Sequence, residues 1–228
     1  MNDAHSVIMK VLTSKLPKPR MKPKEIRKHE IQVAARKVFF KKGYQASTIT
    51  EIANNAGIQN GTVYLYFKNK EDLYLSLMIP AVQRVGHRLK KLENAILQQR
   101  VNNGFELMNI IVEAHLDLYE HDREGVKIIQ AFLQGALFAG VPKNTIEHLN
   151  DLARNNFQTI RRIICLGKDC GFLKKEVNEF LLADIIWAIF LGVFQVEENK
   201  FRMTKKNYFY STVKYGFSLV TEGVLPKT

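Results

Sequence analysis

Cysteine is nearly absent: Cys165 and Cys170 are the two in 228 residues, five apart in one predicted helix. That spacing suits neither a zinc site nor a redox pair, and a disulfide framework needs more thiols. Both read as core or half-buried thiols in a reducing cytoplasm. Long apolar runs are missing as well. The most apolar stretch, Leu181–Phe194, covers 14 residues and contains Asp184. A membrane span needs about 20, so this stretch reads as a buried core helix. Met1–Leu16 lacks the basic flank and following apolar run of a secretory signal. No window alternates like a strand between turns, and no internal repeat is found, so the fold is read as all-α. There is no phosphate loop, no nucleophile elbow and no paired-histidine motif of the zinc-hydrolase kind. An enzyme is therefore not expected, nor a cofactor.

Acidic charge is also in short supply. Against 34 Lys and Arg stand 22 Asp and Glu, a net charge of +12. An excess of this sign points to a polyanion, either nucleic acid or an anionic membrane surface. Its placement is informative. Residues 1–80 hold 14 basic and 6 acidic side chains, while the other 148 residues hold 20 and 16. Two-thirds of the excess lies in the first third of the chain. A uniformly basic soluble protein would not be so uneven.

Residues 1–22 form a basic leader punctuated by Pro17 and Pro19, which forbid a regular helix. Met21 also suits a start codon, so the leader is either an arm reaching along a polyanion or a start-site artefact. From Lys24 the pattern turns helical. Ile31, Ala34, Ala35, Val38 and Phe39 repeat at three and four, and Gly43 supplies a left-handed stop. Further helices are predicted near 70–98, 104–121, 124–139, 144–170, 178–198 and 204–222. The punctuation is Asn102-Asn103-Gly104, Gly125, Gly140-Val141-Pro142, Gly171 and Glu197-Glu198-Asn199.

The chemistry concentrates between 48 and 67. Thr48-Ile-Thr-Glu51 has capping-box form, in which Thr48 accepts from the amide three residues on and Glu51 reaches back. The short helix that follows carries Ile52 and Ala53 inward and ends at Gly57, a residue suited to the positive φ of a tight interhelical turn. A second short helix is expected over Gln59–Phe67. Two brief helices joined through a glycine turn make a helix-turn-helix, whose second helix enters the major groove. Gln59, Asn60 and Thr62 gather at its N-terminus, and amide and hydroxyl groups suit the reading of base edges. Gly61 lets the backbone approach closely. Val63 and Phe67 fit the inner face. Tyr64 and Tyr66 point elsewhere and can bond phosphate oxygens, fixing register rather than sequence, although simple packing would also account for them. Asn69 caps the next helix. Lys70 opposes that helix's dipole, an objection that a phosphate at the same helix end would remove.

Residues Lys24–Leu73 resemble the DNA-binding domain of the TetR family of regulators. The likeness rests on Thr48-Ile-Thr-Glu-Ile-Ala, Ala56-Gly-Ile and Gly61-Thr-Val-Tyr-Leu-Tyr-Phe-Lys-Asn-Lys-Glu-Asp-Leu73. It implies that Thr48, Tyr64, Tyr66 and Lys70 touch phosphates while Gln59, Asn60 and Thr62 face the groove. Asn60 stands where the family often has lysine or arginine, and Leu65 where histidine is frequent. Both departures bear on the operator sequence rather than on DNA binding itself. The resemblance further implies a three-helix DNA-binding domain over 23–72, with its helix-turn-helix at 48–67. A larger helical ligand-binding and dimerisation domain follows over 73–228. The expected protein is a cytoplasmic, homodimeric regulator of double-stranded operator DNA, a repressor released by a small apolar or amphipathic effector.

Within 73–228 the resemblance is no longer residue-specific. Leu181–Phe194 is apolar nearly all round and must be covered on more than one side. The last helix repeats Phe209, Val213, Gly216, Phe217, Val220 and Val224. The two are read as a four-helix interface with a second protomer, against the plainer reading of core helix and cover. Pro80 and Gly86 are expected to kink and soften the long helix that joins head to body. Phe105, Met108, Ile111 and His115, with Phe132, Phe138, Phe157 and Trp187, are candidate effector contacts, though stripes of this kind also build plain cores. Asp117 and His121 share a face but bring no third ligand, so no metal is expected. Arg84, Arg88, Lys90 and Lys91 read as a solvated face. The rival class is a helical protein that binds lipid or a membrane surface. It leaves the capping box, the turn glycine and the Gln-Asn-Gly-Thr helix start unexplained.

Overall fold

The computed structural model describes residues 23–135 and 140–226. The leader, Phe138 and the end of the helix expected at 124–139 lie outside the described residues. Among the described residues every regular element is helical: α1 Pro23–Lys42, α2 Ile49–Ala56, α3 Asn60–Tyr64, α4 Lys70–Ser76, α5 Ile79–Leu97, α6 Gly104–Leu133, α7 Lys143–Asp169, α8 Glu179–Thr204 and α9 Phe209–Val224. The chain divides into two compact units. One holds residues 23–83 with Asp122–Leu152, the other Arg84–His121 with residues 153–226.

In the first unit α1 buries the predicted stripe of Ile31, Ala34, Ala35, Val38 and Phe39. The larger of these, Ile31, Val38 and Phe39, contribute roughly 1.5–3 kcal/mol each when fully buried. α1 packs on α2 and α4, and Phe39 meets Tyr74 edge-on at 5.1 Å. The single helix expected over 70–98 is in fact two. α4 stops at Ser76, and Pro80 falls in the first turn of α5, where a missing amide does no harm. The interior kink expected at Pro80 is thereby replaced by a break. Pro80 has no N–H to offer Ser76 O, and Gln32 Nε2 supplies a donor there at 3.3 Å. The neighbouring Leu77 carbonyl accepts from Arg36 Nη2 at 2.8 Å.

Arg36 also holds both carboxylate oxygens of Asp122, at 2.7 and 3.1 Å. Asp122 lies outside helical space (φ −151°, ψ 53°) and interrupts α6. Its Oδ1 accepts from Gly125 N at 2.9 Å, so it caps the second half of α6 as an N-cap aspartate does. The punctuation expected at Gly125 is thus made by Asp122. Gly125 is needed for another reason: a Cβ there would come within 2.8 Å of both Asp122 and Ala81 side chains.

The second unit is built on α8 and α9, which pack together. Leu182, Ala183, Ile186, Phe190 and Phe194 of α8 are buried with Phe209, Val213 and Phe217 of α9. Tyr119 stacks on Phe209 at 3.8 Å. The small residue at Gly216 allows close approach, since a Cβ there would lie 3.3 Å from Ile189. Within one protomer, α8 is covered along one side only. Leu181, Ile185, Ala188, Gly192 and Val196 form a bare stripe along α8, and Tyr215 and Leu219 are exposed on α9. The solvated face expected at 84–91 holds at Arg84 and Lys90, both exposed, but Arg88 is half-buried and pairs with Asp117. Cys165 is half-buried as expected, but Cys170 is exposed.

Candidate nucleic-acid interface and effector site

The capping box forms as its residue types require. Glu51 N donates to Thr48 Oγ1 and Thr48 N donates to Glu51 Oε2, both at 3.2 Å. Lys42 adds a charge partner to Glu51, and its hydrogen bond, ahead of that from the Thr48 amide, holds the Glu51 carboxyl below its ordinary range. α2 ends at Gly57 with φ 67° and ψ 34°. Ile58 N then reaches Ala53 O at 3.0 Å, a Schellman closure that only a left-handed residue at 57 permits. These local bonds fix where α3 begins.

α3 is shorter than the helix expected over Gln59–Phe67. Its helical span is Asn60–Tyr64, and hydrogen bonds from Tyr66 N and Phe67 N to Val63 O at 3.0 Å close the turn behind it. Val63 and Phe67 are buried, anchoring one side. On the other side Gln59, Asn60 and Gly61 are exposed and Thr62 is half-buried. Gln59 occupies the N-cap with no side-chain capping bond, so its amide is not consumed by the helix it starts. Asn60 Nδ2 donates to Thr50 Oγ1 at 2.8 Å. Tyr64 is exposed and Tyr66 half-buried. Thr50 was not singled out in the sequence; its signal was position alone, the residue between the capping threonine and its glutamate partner.

Lys70 has a different setting from the one the dipole argument anticipated. Its ammonium donates to Tyr44 O at 3.1 Å and Ser47 O at 3.0 Å, and sits 4.5 Å from the Tyr44 ring centre. Two of three donors are thus spent on the loop that carries Thr48. The charge at this helix end is relieved by carbonyls of that loop. Burial pushes the Tyr44 phenol well above its ordinary range, and its hydrogen bond to Glu71 adds to the shift. Asn69 caps α4 as expected, accepting from Asp72 N at 2.8 Å.

The effector candidates are scattered by the fold. Met108, Ile111 and His115 are fully buried on one face of α6. His115 lies 6.1 Å from Trp187, which in turn lies 6.5 Å from Phe157. Phe190 and Phe217, not singled out as contacts, complete the ring cluster at 5.6 and 6.5 Å from His115. Their place in the two apolar helices had marked them only as core. Phe105 is 65% exposed, which corrects its placement on an inward face. Phe132 belongs to the other unit, half-buried. Asp117 is engaged by Arg88 and, at 2.9 Å, by His121.

Burial pushes the His115 imidazole below its ordinary range, against a smaller upward effect of its bond to the Ile111 carbonyl. That bond, Nδ1 to Ile111 O, measures 2.8 Å. His115 Nε2 is buried without a hydrogen-bond partner among the described residues. An orphaned acceptor of this kind costs about 1–3 kcal/mol.

Comparison with known proteins agrees with this geometry. Residues 31–77 match the family described as bacterial regulatory proteins, tetR family. The fatty acid metabolism regulator protein of Bacillus subtilis is 26% identical over 168 residues, covering 74% of this chain and 81% of its own. The structure of SmeT, repressor of the Stenotrophomonas maltophilia multidrug efflux pump SmeDEF, has a TM-score of 0.65 at 18% identity, with 88% of this chain and 91% of that one covered. The transcriptional regulator FadR from Bacillus subtilis, in complex with stearoyl-CoA, has a TM-score of 0.60 at 22% identity, covering 86% and 98%. These relatives are regulators of transcription, not enzymes. With its capped, glycine-turned helix pair inside the matched segment, residues 31–77 carry the helix-turn-helix domain of the TetR family of transcription regulators.

Proposed function

We propose that this protein is a homodimeric repressor that grips double-stranded operator DNA through α3 and lets go when a small apolar or amphipathic effector enters its helical body. Residues 23–72 form the reading domain and 73–228 the sensing and dimerising domain. One observation carries the reading. The N-terminal end of α3 holds Gln59, Asn60, Gly61 and Thr62 at an accessible surface, while Val63 and Phe67 pin its other side. Amide and hydroxyl groups so placed can pair with base edges in a major groove. Thr48, Tyr64 and Tyr66 flank them as phosphate contacts. Lys70 assists chiefly by holding the 44–47 loop under Thr48, with one donor left for a phosphate.

The bare stripe of α8 and the exposed face of α9 supply a surface for a second copy, and an operator with two half-sites requires one. A rival occupant is a bilayer, because Glu179–Thr204 is long and apolar enough to cross a membrane. Burial of Phe190 and Phe194 on the opposite face of the same helix, and of Glu197 beside Lys200 at 2.9 Å, favours a protein partner. The names of the relatives, regulators of fatty acid metabolism and of drug efflux, support an effector of largely apolar body. Repression rather than activation follows the name of the efflux regulator, and a chromosome-binding protein works in the cytoplasm.

Footprinting of the purified protein on fragments of its source genome tests the reading. A protected site with two half-sites, lost steeply as salt rises, is expected. Absence of protection on every fragment in dilute buffer, or preferential binding to anionic vesicles, would end it.

A further inference from the structure

We propose that His115 Nε2 is the acceptor that anchors a neutral hydroxyl group, alcoholic or phenolic, on an otherwise apolar effector. The inference rests on the reading of the helical body as an effector site and specifies what that site recognises.

The tautomer follows from the partner. A backbone carbonyl can only accept, so the 2.8 Å contact from His115 Nδ1 to Ile111 O places the ring proton on Nδ1. Nε2 is left as a lone pair. Burial disfavours the imidazolium, so Nε2 stays an acceptor near neutral pH. The side chain is fully buried, and no described residue donates to it.

The surroundings narrow what could donate. The rings nearest His115 are those of Phe190, Trp187 and Phe217, 5.6 to 6.5 Å away. A buried water needs two or more polar partners, whereas the neighbours these contacts bring to His115 are aromatic rings. A donor that brings its own hydrocarbon suits the site better. A carboxylate would set negative charge against a lone pair, and an ether, ester or ketone has no proton to give. Among the described residues the other two buried side-chain atoms without partners differ in kind. Asp117 Oδ2 belongs to a carboxylate already held by Arg88, and Arg161 Nε to a guanidinium stacked 4.3 Å over Phe180. From His115 the rings run through Trp187 to Phe157, both half-buried.

Trp187 is the single tryptophan of the chain, so its fluorescence reports on this cluster in the full-length protein. Titration compares para-octylphenol with para-octylanisole, dodecanol with its methyl ether, and adds dodecanoate. The phenol, the alcohol or both should bind roughly tenfold to a hundredfold tighter than the matching ether, and whichever pair shows the gap identifies the hydroxyl class. In His115→Leu, which removes the orphaned acceptor without opening a large void, the gap should close. Equal binding of hydroxyl and ether by the native protein overturns the proposal, needs no variant, and leaves effector sensing standing. Tightest binding of dodecanoate with proton uptake also overturns it, because imidazolium would then be the donor. If no probe perturbs Trp187 or operator binding, the effector reading itself falls, and this inference with it.

Discussion

The reading head and the helical body are specified in opposite ways. In the head, the decisive polar bonds join neighbours in sequence: Thr48 with Glu51, Asn69 with Asp72, Gly57 with Ala53 and Asn54. α2 and α3 have eight and five residues, too short to persist alone, so caps must state where they start and stop. In the body, α8 runs 26 residues, and polar bonds among the other segments span long stretches of sequence. Glu93 answers Arg162 at 2.5 Å across 69 positions, and Asn207 answers Tyr119 at 2.6 Å across 88. Burial pushes the Glu93 carboxyl up, but the bonds from Arg162 and Lys90 outweigh it and hold it below the ordinary range. Local chemistry fixes the surface of the helix-turn-helix, and long-range packing fixes the interior of the body.

That contrast can be broken most forcefully at the bare face of the body. Ile185→Glu combined with Leu219→Glu places charge on the exposed stripe while leaving the buried face of α8 untouched. The pair should convert dimer to monomer by sedimentation and lower operator affinity by at least about a hundredfold, since two linked half-site contacts become one. A variant that stays dimeric would move the interface elsewhere.

Within the head, the comparison sharpens into two kinds of loss. Gln59→Ala and Thr62→Ala should relax preference at particular base pairs by ~1–3 kcal/mol. Tyr64→Phe should weaken binding to every sequence alike, by a smaller amount, as loss of a phosphate contact does. Gel shifts against a panel of single-base operator variants separate the two. Uniform loss from all three would mean that α3 does not lie in the groove as described.

The smallest effect concerns acid. His115 titrates below its ordinary value of 6.5 in the folded state, so between the folded and unfolded values the unfolded chain binds more protons. Stability then falls as pH drops below about 6.5, by at most ~1.4 kcal/mol per pH unit. Urea midpoints followed through Trp187 from pH 7 to 5 should show this slope, and His115→Phe should flatten it. The window lies above the range in which Glu93 and Glu197, both held below 4.5, begin to take protons. An unchanged slope in the variant would assign the acid sensitivity to another group.

The head was legible because its signals are short. The stripe from Ile31 to Phe39, the capping box and the turn glycine all reappear where the spacing put them. What the local signals leave out comes from longer reach. Beside Lys70 the carbonyls of Tyr44 and Ser47 meet the ammonium from the preceding loop, a contact that the dipole argument does not supply. Pro80 was read as a kink because an apolar period continues through it, yet the break at Leu77 and Met78 is held by Gln32 and Arg36, more than forty positions away. In the body, the residues of the ring cluster were partly named, but Phe105 turned outward and Phe190 inward. A stripe with apolar residues on several faces does not say which face is covered.

Composition, period and caps therefore determined by themselves that the chain is helical, where its helix-turn-helix lies, and which side chains the second of its helices shows. Those properties depend on residues within about four positions of one another, and hydrogen bonds at that range need no knowledge of the rest of the chain. Tertiary structure alone decided that Asp122 divides α6, that one side of α8 is left bare, and that His115 carries an unpaired nitrogen among aromatic rings. Each of these depends on which distant segments come together, and that is fixed by the packing of whole helices rather than by any local pattern.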